Sequence, residues 1–241
     1  ALLAEGYTDV VVAIGAWAPG RKTLKSGEAL DALEFLEEFK RAPESVDLGT
    51  DVVVIGAGNT AMDVARAAKR VSGVQNVRLV YRRTKRYMPA DEEELQMAID
   101  DGVEFMELLA PGDLANNQLT CEVMKLGAPD ESGRRRPEGT GEFVTVPATA
   151  VITAVGEQIE PDLYATSGIA CDEKGLPVVD NNLQTSLAHV YAVGDGRRGP
   201  ATVVKGIADA MMVAVAIADF NFSGKELSNL EEDVAKIFGK R

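Results

Sequence analysis

The run Asp51-Val-Val-Val-Ile-Gly56-Ala-Gly58-Asn-Thr-Ala61 constrains this chain more than any other stretch. Its apolar residues Val52–Ile55 lead straight into Gly56-Ala57-Gly58, and a helix-forming run opens at Asn59 or Thr60. Short strands that are apolar throughout are expected in a parallel sheet covered on both faces. Here the strand turns through glycine into a helix, as at the start of a dinucleotide-binding βαβ unit. Gly56 permits the tight turn, and Gly58 removes a side chain where a pyrophosphate must approach the backbone. Ala61 lets the helix pack close to the strand. The amides of the helix N-terminus, with its dipole, favour the pyrophosphate. Gly56, Ala57, Gly58, Asn59, Thr60 and Ala61 are therefore the expected dinucleotide-binding residues.

The end of the next strand distinguishes NAD from NADP. An NAD site usually carries Asp or Glu there, to accept from the ribose hydroxyls. In this chain Val77-Arg-Leu-Val-Tyr81 ends in Arg82-Arg83-Thr84-Lys85-Arg86. A guanidinium matches a 2′-phosphate bidentately. The chain holds 25 Lys and Arg against 38 Asp and Glu, a net charge of −13, so this basic cluster runs against the background. The expected ligand is NADP(H), with Arg82 and Arg83 on its 2′-phosphate. The same acidic balance argues against non-specific nucleic-acid binding.

Strand-like and helical runs alternate over most of the 241 residues. Strands are expected at Asp9–Ile14, Asp51–Ile55, Asn76–Tyr81, Val103–Leu109, Ala150–Ala154, Leu176–Val179 and Val190–Val193. Helices are expected at Glu28–Arg41, Thr60–Val71, Asp91–Asp101, Thr202–Phe220 and Leu230–Phe238. Gln118–Val146 reads instead as an antiparallel element, with strands at Leu119–Leu126 and Phe143–Val146 around an exposed turn. No stretch approaches the roughly 18 apolar residues that mark a membrane span. Cys121 and Cys171 are isolated, which suggests buried free thiols in a cytoplasmic enzyme. The single histidine, His189, has no second His or Cys near it and reads as a loop residue; no metal site and no catalytic Ser/His/Asp set is expected. Asp63 falls on the Rossmann helix, and Glu92–Glu94 open the next one, where carboxylates are favourable.

A second nucleotide motif, Val190-Tyr-Ala-Val-Gly194-Asp195-Gly196, is followed by Thr202-Val203 at the head of an apolar helix. Together with Val12-Ala-Ile-Gly15-Ala16, Val54–Asp63, Val80-Tyr-Arg-Arg83, Met88-Pro-Ala90 and Val151–Gly156, it resembles the two-dinucleotide flavoprotein oxidoreductases. More narrowly, the chain resembles the small (beta) subunit of NADPH-dependent glutamate synthase and its relatives, including subunits assigned as selenate reductases. The resemblance implies an α/β fold: a Rossmann-like three-layer NADP(H)-binding domain, plus part of an FAD-binding domain. It implies that Asp195, after Gly194, hydrogen-bonds the FAD ribityl chain and that the amides near Thr202 and Val203 face the flavin. Gly15 and Gly156 would sit where the chain crosses between the two nucleotide domains. Glu157 and Gln158 just beyond are open between a nicotinamide contact and a plain hinge.

The resemblance also implies an activity, hydride transfer from NADPH to FAD and onward electron transfer through iron–sulfur clusters to a large subunit or other acceptor protein. The family's first FAD fingerprint and its cysteine-rich cluster segment are not in this sequence, and a start at Ala-Leu-Leu rather than Met, leading straight into the strand-like run Asp9–Ile14, suggests a C-terminal fragment. The expected boundaries are 1–44 for the end of an FAD-domain portion and hinge, 45–155 for the NADP(H) domain, and 156–241 for the rest of the FAD domain. The alternative is an NADP(H)-binding module that has no catalytic activity by itself. Thr202–Phe220 is apolar nearly all round, which makes self-association through that helix a further expectation.

Overall fold

The central strand of the glycine motif is buried on both sides, and the two sides are covered by different kinds of layer. The computed structural model describes residues 2–20, 24–129, 135–160 and 162–218. In chain order it contains β1 (Val10–Val12), β2 (Ala18–Pro19), β3 (Leu30–Asp31), α1 (Ala32–Arg41), β4 (Asp51–Ile55), α2 (Asn59–Ala68), β5 (Asn76–Tyr81), α3 (Glu92–Asp100) and β6 (Val103–Glu107). Then come β7 (Leu109–Ala115), β8 (Gln118–Pro129), β9 (Arg135–Pro147), β10 (Ala150–Thr153), β11 (Glu157–Gln158), α4 (Leu163–Thr166), β12 (Val190–Ala192), α5 (Asp195–Arg198) and α6 (Val203–Ala218). The chain divides into two units, residues 19–156 and residues 1–18 with 157–241.

In the unit of residues 19–156, five parallel strands run in the order β3-β10-β4-β5-β6. Successive side chains of a strand point to opposite faces. Accordingly Val52 and Val54 pack with Phe35, Met62, Val64 and Leu95 of the three helices, while Val53 and Ile55 pack with Leu109, Leu119, Cys121 and Val146 of the antiparallel sheet β7-β8-β9. Each fully buried valine contributes about 2 kcal/mol of transfer free energy. The layers are therefore helix, parallel sheet and antiparallel sheet. Burial pushes the Cys121 thiol up to about 11, so it stays a neutral core group.

Several elements differ from the sequence expectation. The helix expected at Glu28–Arg41 starts only at Ala32, because Leu30 and Asp31 pair with Ile152 and Thr153. Asp31 then caps the helix, its carboxylate accepting from Leu33 and Glu34 N–H at 2.9 and 3.3 Å. In the division of the chain into units, residues 19–44 fall with the nucleotide-motif sheet. Leu176–Val179 is no strand. Asp172 accepts from Lys174 and Leu176 N–H to make a tight turn there, and only one bridge, Cys171 with Pro177, forms. Of the expected helix Thr202–Phe220, Val203–Ala218 is helical; Asp219, Phe220 and the run Leu230–Phe238 lie outside the described residues.

In the other unit, β1 and β12 pair in parallel, Val10 with Val190 through Val12 with Ala192. Tyr164, Ile169, Val190 and Ala192 form one small core, and Leu183, Tyr191, Val193 and Val213 of α6 form another. His189 lies in the loop before β12, its Nδ1 3.1 Å from Asp9 Oδ1.

At the N-terminal end of the parallel sheet, Arg78 bridges Asp51 at 3.0 Å and Glu104 at 3.2 Å. The Arg78 hydrogen bond, helped by Thr50 and Asn76, holds the Asp51 carboxyl below its ordinary value. A depressed carboxyl stabilises the fold above the unfolded-state pKa of about 3.9 and loses that contribution as pH falls through the lower folded value. Urea midpoints compared at neutral pH and in acid below that value should therefore fall further for the native chain than for Asp51→Asn. An equal fall in both would count against the assignment.

Candidate nucleotide-binding site

The glycine turn is built from close approaches that only small residues allow. Gly56 has φ +141°, and a Cβ there would lie 2.3 Å from the Ala154 carbonyl oxygen. That notional atom would also lie 3.4 Å from the Cβ of Ala61, which is fully buried. Gly58 differs: its φ of −90° is ordinary, and a Cβ would meet only Pro89 at 3.8 Å. It is small because of the space outside, not because of strain. Gly58 is the N-cap of α2, and no side chain caps that helix. An uncapped N-terminus with an open approach fits a pyrophosphate.

Of the remaining turn residues, Ala57 is buried and accepts from Ala90 N–H at 3.1 Å. Asn59 is exposed, but its side chain accepts from Asp91 N–H at 3.2 Å at the start of α3. Thr60 follows it in the first turn of α2 and is half-buried. The Ala57–Ala90 bond gives a role to Met88-Pro-Ala90, which the sequence alone left without one: it fastens the far end of the basic loop to the glycine turn.

The register of β4 and β5, with Ile55 opposite Val80, brings the basic loop beside that turn. Tyr81 OH donates to the Tyr87 carbonyl at 2.7 Å, Leu108 N–H to the Arg83 carbonyl, and Lys85 N–H to the Glu107 carboxylate. The two arginines then behave differently. Arg82 is exposed and has no hydrogen bond or ion pair among the described residues. Arg83 donates through Nε to the Arg135 carbonyl at 3.3 Å, tying β5's end to β9.

The second motif lies in the other unit. Gly194 has φ +65° and ψ −152°, a backbone open to glycine. The Asp195 carboxylate accepts from Ala201 N–H at 3.0 Å. Thr202 precedes α6, which opens at Val203, and Val203 is 79% exposed. Gly156, at the end of the other unit, has φ +88°, and a Cβ on Gly20 would strike its carbonyl oxygen at 2.2 Å.

The residue that sequence reasoning missed here is Asp209. It is wholly buried on α6 and accepts the Gly194 N–H at 2.9 Å and the Arg197 guanidinium at 2.9 and 3.2 Å. Arg198 also donates to it. A lone acid inside an apolar helix, eleven residues after an Arg-Arg pair, is the signal that could have found it. Removing one partner of a buried ion pair leaves the others uncompensated. Asp209→Ala should cost about 3 kcal/mol in urea unfolding; a loss within experimental error would show that the cluster holds nothing together.

The model of a family described as pyridine nucleotide-disulphide oxidoreductase matches residues 4–210. YgfK of Escherichia coli K12, an oxidoreductase by assignment, is 46% identical over 187 residues, covering 77% of this chain and 18% of YgfK. The glutamate synthase [NADPH] small chain of Halomonas elongata is 36% identical over 182 residues, 71% of this chain and 38% of that protein. The chain therefore spans well under half of these relatives. In fold, Mycobacterium tuberculosis FprA in complex with NADPH superposes with a TM-score of 0.72 over 98% of this chain and 70% of FprA, at 20% identity.

Proposed function

This chain belongs to the pyridine nucleotide-disulphide oxidoreductase family, and on that premise we propose that it is the NADPH-binding portion of a flavoprotein oxidoreductase resembling the glutamate synthase small subunit. The observation that carries the reading is the pairing of a helix N-terminus at Gly58 without a side-chain cap and the exposed guanidinium of Arg82, which has no partner among the described residues. One fits a pyrophosphate and the other a 2′-phosphate, and both belong to the same unit.

In this reading the turn Gly56–Ala61 receives the pyrophosphate, with Ala57, Gly58, Asn59 and Thr60 supplying backbone. Arg82, with Arg83 behind it, selects NADPH over NADH. Asp195, after Gly194, accepts from the ribityl hydroxyls of FAD, and the helix start at Thr202 and Val203 faces the flavin. A valine so exposed at a helix N-terminus fits a flat apolar ring, and the amides beside it favour negative charge there. Gly156 ends the nucleotide unit at a chain crossing. When bound, NADPH would supply a hydride and FAD would accept it; electrons would leave through iron–sulfur clusters outside this chain to a large subunit or other acceptor protein. The setting proposed for this reaction is the cytoplasm, and among the described residues no helix is long and apolar enough to cross a membrane. Self-association through the exposed side of α6 belongs to the same proposal.

Titration of the chain with NADPH and NADH tests this. NADPH should bind more tightly, and Arg82→Ala should weaken it by about tenfold, the loss of a charge-assisted hydrogen bond, while leaving NADH unchanged. Equal affinity for both nucleotides in the unaltered chain would remove the basis for the reading. Flavin absorbance in the purified chain, or its appearance on adding FAD, tests the second half of the site.

A further inference from the structure

Tyr164 belongs to a small core of the unit formed by residues 1–18 and 157–241, shared with Ile169, Val190 and Ala192. It is 2% exposed, yet its hydroxyl has no hydrogen-bond partner among the described residues. A buried hydroxyl without a partner is destabilising, because folding strips its water and returns nothing. A phenylalanine would fill the same core without that loss. The core accounts for the ring but not for the oxygen.

That oxygen lies at the second glycine motif. A Cβ on Gly196 would stand 3.0 Å from it, 2.9 Å from the Ile14 Cγ1 and 3.4 Å from the Gly15 amide nitrogen. Gly196 is buried and directly follows Asp195. The Gly15 N–H also donates to nothing among the described residues. A phenol O–H and a backbone N–H thus flank one point of the Gly194–Gly196 turn, and neither has an acceptor among those residues. Burial, with a smaller contribution from the Cys171 thiol, pushes the phenol up to about 12, so it is a neutral donor at physiological pH. Donors without acceptors at a glycine turn fit a ligand rich in oxygen. FAD is such a ligand, with its pyrophosphate, ribityl chain and flavin carbonyls, and Asp195 beside Gly196 is the residue proposed above to accept from it.

We propose that Tyr164 is a cofactor-binding residue, its hydroxyl donating to an oxygen of FAD where the dinucleotide passes Gly15 and Gly196. The inference rests on the FAD half of the reading above and adds to it a side chain from α4, an element that carries no nucleotide motif. The turn then offers FAD two side chains of opposite sense, since Asp195 accepts and Tyr164 donates. Gly196 gains a reason as well: a side chain there would crowd both donors.

The test is Tyr164→Phe, which removes the oxygen and keeps the ring, in the full 241-residue chain. Tyr7→Phe, which alters an exposed phenol of the same unit, is the control. Without flavin, the urea midpoint of Tyr164→Phe should equal or exceed the native one, because an unserved buried hydroxyl is gone. In titrations followed by flavin fluorescence, Tyr164→Phe should bind FAD about tenfold more weakly, the size of one hydrogen bond. Tyr7→Phe should match the native chain in both measurements, and NADPH affinity, which reports the other unit, should change in neither variant. A merely structural role would lower stability and FAD affinity together. A Tyr164→Phe midpoint below the native one without flavin means that the hydroxyl has a partner inside the protein, and the inference falls while the flavoprotein reading stands. Unchanged FAD affinity in Tyr164→Phe has the same consequence. A native chain that takes up no FAD overturns both.

Discussion

The nucleotide-binding unit depends on the close approach of Gly56 to the carbonyl of Ala154. It brings the ends of β4 and β10 together without a side chain between them, and the Ala154 N–H bonds back to the Ile55 carbonyl at 2.8 Å. Because the chain can turn there at once, α2 starts directly above the end of the sheet with its N-terminus open. A residue with a Cβ would have to push the turn outward, and the helix with it. Ala61 would lose its contact with the turn, and the Ala57–Ala90 bond that fastens the basic loop would lengthen. One missing methyl group thus sets the positions of helix, loop and arginines together.

Electrostatics divides that unit along its strands. At the N-terminal end of the sheet, acids and bases are matched: Arg78 stands between Asp51 and Glu104. At the opposite end, Arg82, Arg86 and Arg135 lack acidic partners among the described residues. A net charge of −13 does not prevent anion binding there, because exposed charges beyond about 8 Å are largely screened at physiological salt. A phosphate proposed to bind there would meet the local cluster.

The parts legible in the sequence were those with a strong local cause. Val52–Ile55 followed by Gly56 and Gly58 defined strand, turn and helix, because burial on both faces demands an apolar run and the turn demands small residues. The antiparallel reading of Gln118–Val146 followed from short strands around a polar turn. The illegible parts depended on distant partners. Leu30 and Asp31 read as helix until β10, 120 residues later, took them as a strand; propensity could not foresee that pairing. Leu176–Val179 has a strand's composition, but Asp172 curls the chain before a ladder can form. Arg82 and Arg83 look equivalent in sequence, and only the hairpin distinguishes them by bonding one. Asp209 was hidden because its partners are set by the fold of the turn, not by the helix on which it lies.

Asp209 also shows that the two glycine turns, alike in sequence, are stabilised by different physics. At Gly56 the fixing contacts are backbone and methyl groups, made of short-range repulsion and packing, and so are insensitive to charge. At Gly194 the turn is held by a buried carboxylate that also binds two guanidiniums. Such a cluster bears the desolvation of three ions and returns it only while all are present and well oriented. The first turn therefore tolerates changes of charge nearby but no change of volume. The second would accept small changes of shape on α6, yet fail on loss of one charge. A carboxylate anchored to the Gly194 amide on one side and to a long helix on the other also couples the Asp195 turn to the start of α6. These are two features of that unit proposed to meet a flavin, and neither can shift alone without disturbing the same buried oxygen atoms.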